Sequence, residues 1–141
     1  MARSTHLLDL AVLAELTRPA GNRQILTRFR QHQHGCAIAA PVAYSLLRGI
    51  EALPEGARRT QLLGFAQELL RSGPPVIPFD REAAIWLARE MPRRELPNRG
   101  WTLIEGQQAA IAAVHELILV TRTPALYAGA SGLRLDDWFR P

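Results

Sequence analysis

Two carboxylates stand where a chain could bring them to one place. Asp9 ends the apolar stretch Leu7–Leu8 and is followed at once by Leu10-Ala11-Val12-Leu13-Ala14-Glu15-Leu16, which has helical spacing. Glu105 stands before GQQAAIAAVHELILVTR, a run of small residues that leads into a second apolar strand ending at Thr121-Arg122. Carboxylates that converge on Mg²⁺ or Mn²⁺ let the ion activate a water and neutralise a phosphate, which is the chemistry of phosphodiester hydrolysis. One carboxylate holds such an ion poorly, so the number of acids that converge decides what the site can do.

The elements that must position these groups are short apolar runs alternating with helical patterns. His6–Leu8, Cys36–Ala39, Val76–Phe79, Ile118–Thr121 and Leu133–Leu135 read as strands. Between them Ala11–Leu16, Asn22–Gln33, Pro41–Leu53, Gly56–Arg71, Arg81–Glu90 and Thr102–Glu116 read as helices. Pro41 suits a first helical position and Asp80 an N-cap. Strands alternating with helices predict an α/β fold with a parallel sheet covered on both faces. In such sheets the site lies at the carboxyl ends of the central strands, where Asp9, Glu105 and Thr121 are expected.

The chain of 141 residues, 48% apolar, suits one domain over 1–141 with its own core. No repeat or low-complexity tract divides it. A single cysteine, Cys36, excludes an internal disulfide and a cysteine-based zinc site, and fits a reducing, cytoplasmic setting. The apolar stretch near the N-terminus contains Asp9 and Glu15, which argues against a signal peptide. The run Ala109–Val120 is too short and too polar to span a bilayer, so no membrane association is expected. All 17 basic residues are arginines, and the net charge of +4 permits a nucleic-acid or acidic partner without demonstrating one.

Five segments in order carry a resemblance: LLDLAVLAEL, Leu46–Arg59, VIPFD, Glu105–Arg122 and the closing GLRLDDWF. With them the chain resembles PIN-domain proteins of the VapC/FitB type, the toxin half of type II toxin–antitoxin pairs. The resemblance implies an α/β/α sandwich around a parallel sheet, a Mg²⁺-dependent endoribonuclease, a homodimer, and a small antitoxin protein covering the site. It makes Asp9 and Glu105 the metal ligands and Thr121 the residue that orients a phosphate or water. It also implies four acids, and two are absent: Ser45 stands at the second position and Leu126 at the fourth. The polar neighbours of the first acid are replaced by Leu10 and Ala11. Activity is therefore expected to be weak or lost, and the alternative is a non-catalytic module that binds RNA or an antitoxin partner.

Other residues carry both a functional and a plainer reading. Arg58-Arg59 and Arg93-Arg94, with Arg99 and Trp101 close by, could track a phosphate backbone or stack on a base, and solvated helix ends explain them as well. Arg93, Arg94, Arg99 and Arg122 are the candidates for RNA binding. Glu105 also suits the first turn of a helix with no further role. Glu15 could lean toward the cleft; Glu51 is expected to face solvent. Cys36 reads as a buried strand thiol, His32 and His34 as a surface helix end, and His115 as a helix C-cap. Asp136 and Asp137 are expected to form a polar edge at the last strand. The segment Met91–Gly100 lies where it could gate access to Glu105.

Overall fold

A computed structural model describes residues 3–94 and 100–141. Five parallel strands form one sheet: β1 (His6–Leu8), β2 (Cys36–Ala39), β3 (Val76–Ile77), β4 (Ile118–Val120) and β5 (Arg134–Asp136). Their order is β3-β2-β1-β4-β5. The chain steps outward from β1 to β3, then returns to the opposite flank of β1 with β4. That reversal puts the switch point between β1 and β4, where a crevice opens at the strands' carboxyl ends.

The helices are α1 (Leu10–Thr17), α2 (Arg23–His32), α3 (Ala40–Glu51), α4 (Ala57–Ser72), α5 (Arg81–Glu90), α6 (Leu103–Val114) and α7 (Pro124–Tyr127), with a 3₁₀ turn at Met91–Arg94. They flank the central sheet, as the expected α/β/α arrangement requires. Asp80 caps α5 by accepting from the Ala83 amide at 3.0 Å, and Pro41 sits in the first turn of α3, both as read from the sequence. His115 is the C-cap of α6. Three strands differ from expectation, β4 by ending at Val120 rather than Thr121. β3 ends at Ile77 rather than Phe79, and β5 is displaced by one residue toward the C-terminus. The short α7 has no counterpart in the sequence reading.

The core is continuous across the sheet. Leu7, Leu8, Ile38, Leu119 and Val120 are fully buried, because strands covered on both faces must be apolar on both. α6 packs deep through small residues, with Ala109, Ala110 and Ala112 fully buried. Gly106 allows α5 close against α6: a Cβ there would meet Leu87 Cδ1 at 2.8 Å and Met91 Sδ at 3.3 Å. The close approach fixes the first turn of α6 and hence the position of Glu105.

Cys36 is buried, donates to the His32 carbonyl at 3.2 Å, and has its thiol pushed up to about 12 by burial. It is a neutral core side chain at any ordinary pH. Among the described residues, no helix is long and apolar enough to cross a membrane.

Candidate functional site

Asp9 leaves β1 at its carboxyl end and caps α1, its Oδ1 accepting from the Val12 amide at 3.2 Å. Its own amide donates to the Val120 carbonyl at 3.1 Å, which ties the end of β1 to the end of β4. The register Leu8 against Val120 makes Thr121 the next neighbour across the strands. Thr121 is fully buried, and its Oγ1 accepts from the Thr123 amide at 3.1 Å. Thr121 therefore backs the site and shapes the turn that follows β4.

A cleft of about 540 Å³ opens over this point. Asp9, Ser45, Glu105, Gln108, Thr123 and Tyr127 line it, with Leu10, Val42, Leu103 and Ile104 as its apolar walls. The structure thus brings together Asp9, Glu105 and Ser45, three positions singled out from sequence. It does not bring in Leu126, whose side chain packs on the core; Thr123 lines the cleft from that segment instead. Leu10 and Leu103, 41% and 62% exposed, stand at the cleft as the first residues of α1 and α6.

Burial pushes the Asp9 carboxyl above its ordinary value, and the Thr121 hydroxyl with the amides of Val12, Ala11 and Arg122 pulls the other way. Desolvation wins, so the charged form of Asp9 is costly where it stands. Glu105 closes a capping box: its Oε1 accepts from the Thr102 amide at 2.9 Å while Thr102 Oγ1 accepts from the Glu105 amide at 3.2 Å. Among the described residues, the two carboxylates that line the cleft are thus both in use as helix caps.

This donor set does not fit a tightly held divalent ion. Mg²⁺ and Mn²⁺ sites of this kind need several converging carboxylates to balance the charge. Among the described residues no group of three or more His, Cys, Asp and Glu side chains is placed to hold an ion. Ser45 and Thr123 add hydroxyl oxygens without charge.

Sequence reasoning missed Gln108 and Tyr127 in the cleft. Gln108 Nε2 donates to Tyr127 Oη at 2.8 Å, while Gln108 Oε1 is buried without a hydrogen-bond partner. A polar residue inside an otherwise small and apolar helix was the available signal. Trp101 is 6% exposed and packs between Trp86, Tyr127 and Arg94, so it presents no free face for a base. The base-stacking reading is overturned by this packing.

The arginines separate. Arg94 lies over the Trp101 ring at 4.7 Å, donates to the Ala128 carbonyl at 2.9 Å and pairs with buried Glu90 at 3.5 Å. Arg93 is exposed and lies 3.9 Å from Glu90. Arg122 is exposed with its guanidinium 4.1 Å from the Phe139 ring centre. Arg99, and with it much of the gating segment, lies outside the described residues. Glu15 does not reach the cleft; it accepts from the Asn22 amide at 2.8 Å and pairs with Arg18. Glu51 is exposed, as expected, and accepts from Arg59 at 2.8 Å. His34 is exposed, but His32 is not a surface residue as expected: its ring packs 5.6 Å from that of Trp138.

No protein-family model matches the chain, and no curated protein matches it in sequence. Solved structures do share its architecture. FitAB bound to an IR36 DNA fragment superposes with a TM-score of 0.81 at 19% identity, covering 97% of each chain. DNA-bound VapBC from Salmonella typhimurium gives 0.76 at 22% identity, over 96% of this chain and 98% of that one. FitAcB from Neisseria gonorrhoeae gives 0.75 at 21% identity, over 97% and 100%. With its five-stranded parallel sheet and its crevice between β1 and β4, this chain has the VapC/FitB-type PIN fold.

Proposed function

We propose that this chain is a VapC-like module of a toxin–antitoxin type pair that works by binding, with metal-dependent RNA cleavage weak or lost. One observation carries the reading: among the described residues the cleft at the switch point is lined by two carboxylates, Asp9 and Glu105, and both cap helices. Support for the setting comes from the fold, shared with chains of structures named FitAB and VapBC. The expected partners are an antitoxin protein and RNA. Exposed Arg93 and Arg122 are cations placed to meet an RNA backbone, whereas Arg94 is engaged by Glu90 and Trp101. Exposed Tyr44 on α3 and Phe65 on α4 offer apolar surface to a second copy of the chain.

If Mg²⁺ or Mn²⁺ enters at high concentration, Asp9 and Glu105 would hold it, and the ion would supply an activated water. The chain's own contribution is to set the cleft walls and to present Thr121 behind Asp9.

The test is to incubate the protein with single-stranded RNA and either ion, beside Asp9→Ala, and to follow cleavage and RNA retention separately. The reading expects retention without turnover above the Asp9→Ala background. Strong cleavage abolished by Asp9→Ala would show that the remaining ligands suffice and that the chain is a working nuclease.

A further inference from the structure

Away from the cleft, two histidines and a tryptophan form a cluster that the proposed function does not use. His6, in β1, and His32, in the last turn of α2, have ring centres 4.5 Å apart. Trp138 is fully buried against both, at 5.8 Å from His6 and 5.6 Å from His32, and stacked on the latter. Its indole N–H has no hydrogen-bond partner. Packing alone therefore holds that ring. The segment around it is fastened by Gln24, whose Nε2 donates to the carbonyls of Trp138 and Arg140.

We infer that the segment Asp137–Arg140 is an acid-sensitive strap: the His6–His32 pair keeps it docked with one proton or none, and releases it on taking a second. His32 stands at the carboxyl end of α2 and stacks on the face of Trp138, two neighbours that accommodate a cation. A second proton must go to buried His6, against desolvation and the charge of His32. Arg134 opposes it further and only the Asp136 carboxylate favours it, so His6 is held below its ordinary value of 6.5.

The remaining charged groups nearby do not reverse this. Arg3 and Glu116 share the surface recess beside His6 and pair with each other at 3.6 Å. Asp137 and Arg140 pair within the strap at 3.4 Å. Cys36, which donates to the His32 carbonyl, is neutral. Thr5 Oγ1 lies 2.7 Å from His6 Nδ1 and restrains that ring's orientation.

The sign follows directly. A histidine held below its ordinary value favours docking above 6.5, and that contribution is lost as the pH falls through the folded value. Release has a consequence at the site, because the Phe139 ring of the strap lies 4.1 Å from the guanidinium of exposed Arg122, which follows Thr121. Acid would remove that ring from one face of the cation beside the cleft.

The test is nuclear magnetic resonance titration of the histidine ring protons, with amide exchange of residues 137–141 corrected for intrinsic chemistry. In the wild type, His6 should titrate below 6.5, and exchange of the segment should rise about 10-fold or more as it does. In His32→Phe, which keeps a packed ring and removes its charge, the His6 midpoint should move up and the acid response should shrink. The proposal is overturned if His6 titrates at or above 6.5 in the wild type, or if exchange of the segment ignores its titration. If His32→Phe does not fold, the wild-type titration and exchange decide the matter alone.

Discussion

Asp9 and Thr121 are successive neighbours at the ends of two adjacent parallel strands: Leu8 pairs with Val120, and the Asp9 amide donates to the Val120 carbonyl at 3.1 Å. The pair marks where the chain reverses direction across the sheet. A carboxylate and a hydroxyl are thereby fixed by the backbone, whatever the rest of the cleft supplies.

Asp9 is a costly carboxylate, and its removal should show that. Its carboxyl is held above the ordinary value of 3.8 by burial, so the stability it contributes is full below that value and is lost as the pH rises through the folded one. Asn is also a good N-cap. Asp9→Asn is therefore expected to match or exceed the wild type in thermal midpoint at neutral pH, with the difference vanishing in acid. Asp9→Ala should instead lose the cap, about 1 kcal/mol by chemical denaturation. A large loss in Asp9→Asn at neutral pH would contradict this account of the site.

The capping box at α6 sets Glu105 in place. Thr102→Ala should destabilise the protein by about 1 kcal/mol and leave the Glu105 amide without its cap, while the Glu105 side chain keeps its bond to the residue-102 amide. Denaturation midpoints check the first effect. The second predicts faster hydrogen exchange of the Glu105 amide in Thr102→Ala.

Arg93 and Arg94 are neighbours with different work. Arg94→Ala removes a partner from Glu90, whose side chain is 5% exposed, and should cost about 3 kcal/mol. Arg93→Ala removes an exposed group 3.9 Å from the same carboxylate and should change stability by less than about 0.5 kcal/mol. RNA retention measured at several salt concentrations should fall in Arg93→Ala while its melting is unchanged.

Glu116 is a non-glycine residue at φ 56°, in the turn between α6 and β4. Its ion pair with Arg3 is exposed at both ends and worth little. Its carbonyl, which accepts from Arg134 at 2.8 Å, survives substitution. Glu116→Gly is accordingly expected to stabilise the protein by up to about 1 kcal/mol, read as a rise in thermal midpoint.

Much of this was legible in the residues because local chemistry and tertiary demand agree. The strand-to-helix switch at Asp9, the cap at Asp80 and the small-residue helix after Glu105 each have one economical reading. The errors fall where packing decides. β3 stops at Ile77 because only Ile38 and Ala39 of β2 offer it partners. The family resemblance put Leu126 at the fourth acid position, but the turn built on Thr121 and α7 puts Thr123 at the cleft. His32 looked like a surface residue, since nothing local announces that a tryptophan more than a hundred positions later will cover it. Trp101 had the same fate for the same reason. The orphaned Gln108 oxygen is visible only once the cleft is assembled.

Asp9 and Glu105 alone supply too little charge to hold a divalent ion, which calorimetric titration can check. Mn²⁺ and Mg²⁺ should be titrated into the wild type, Asp9→Ala, and a Ser45→Glu/Thr123→Asp double variant that places new carboxylates on the cleft wall. The account predicts no saturable heat for the wild type or Asp9→Ala and clear binding by the double variant. Saturable binding by the wild type that Asp9→Ala abolishes would contradict it, and would make this cleft a metal site with the ligands it already has.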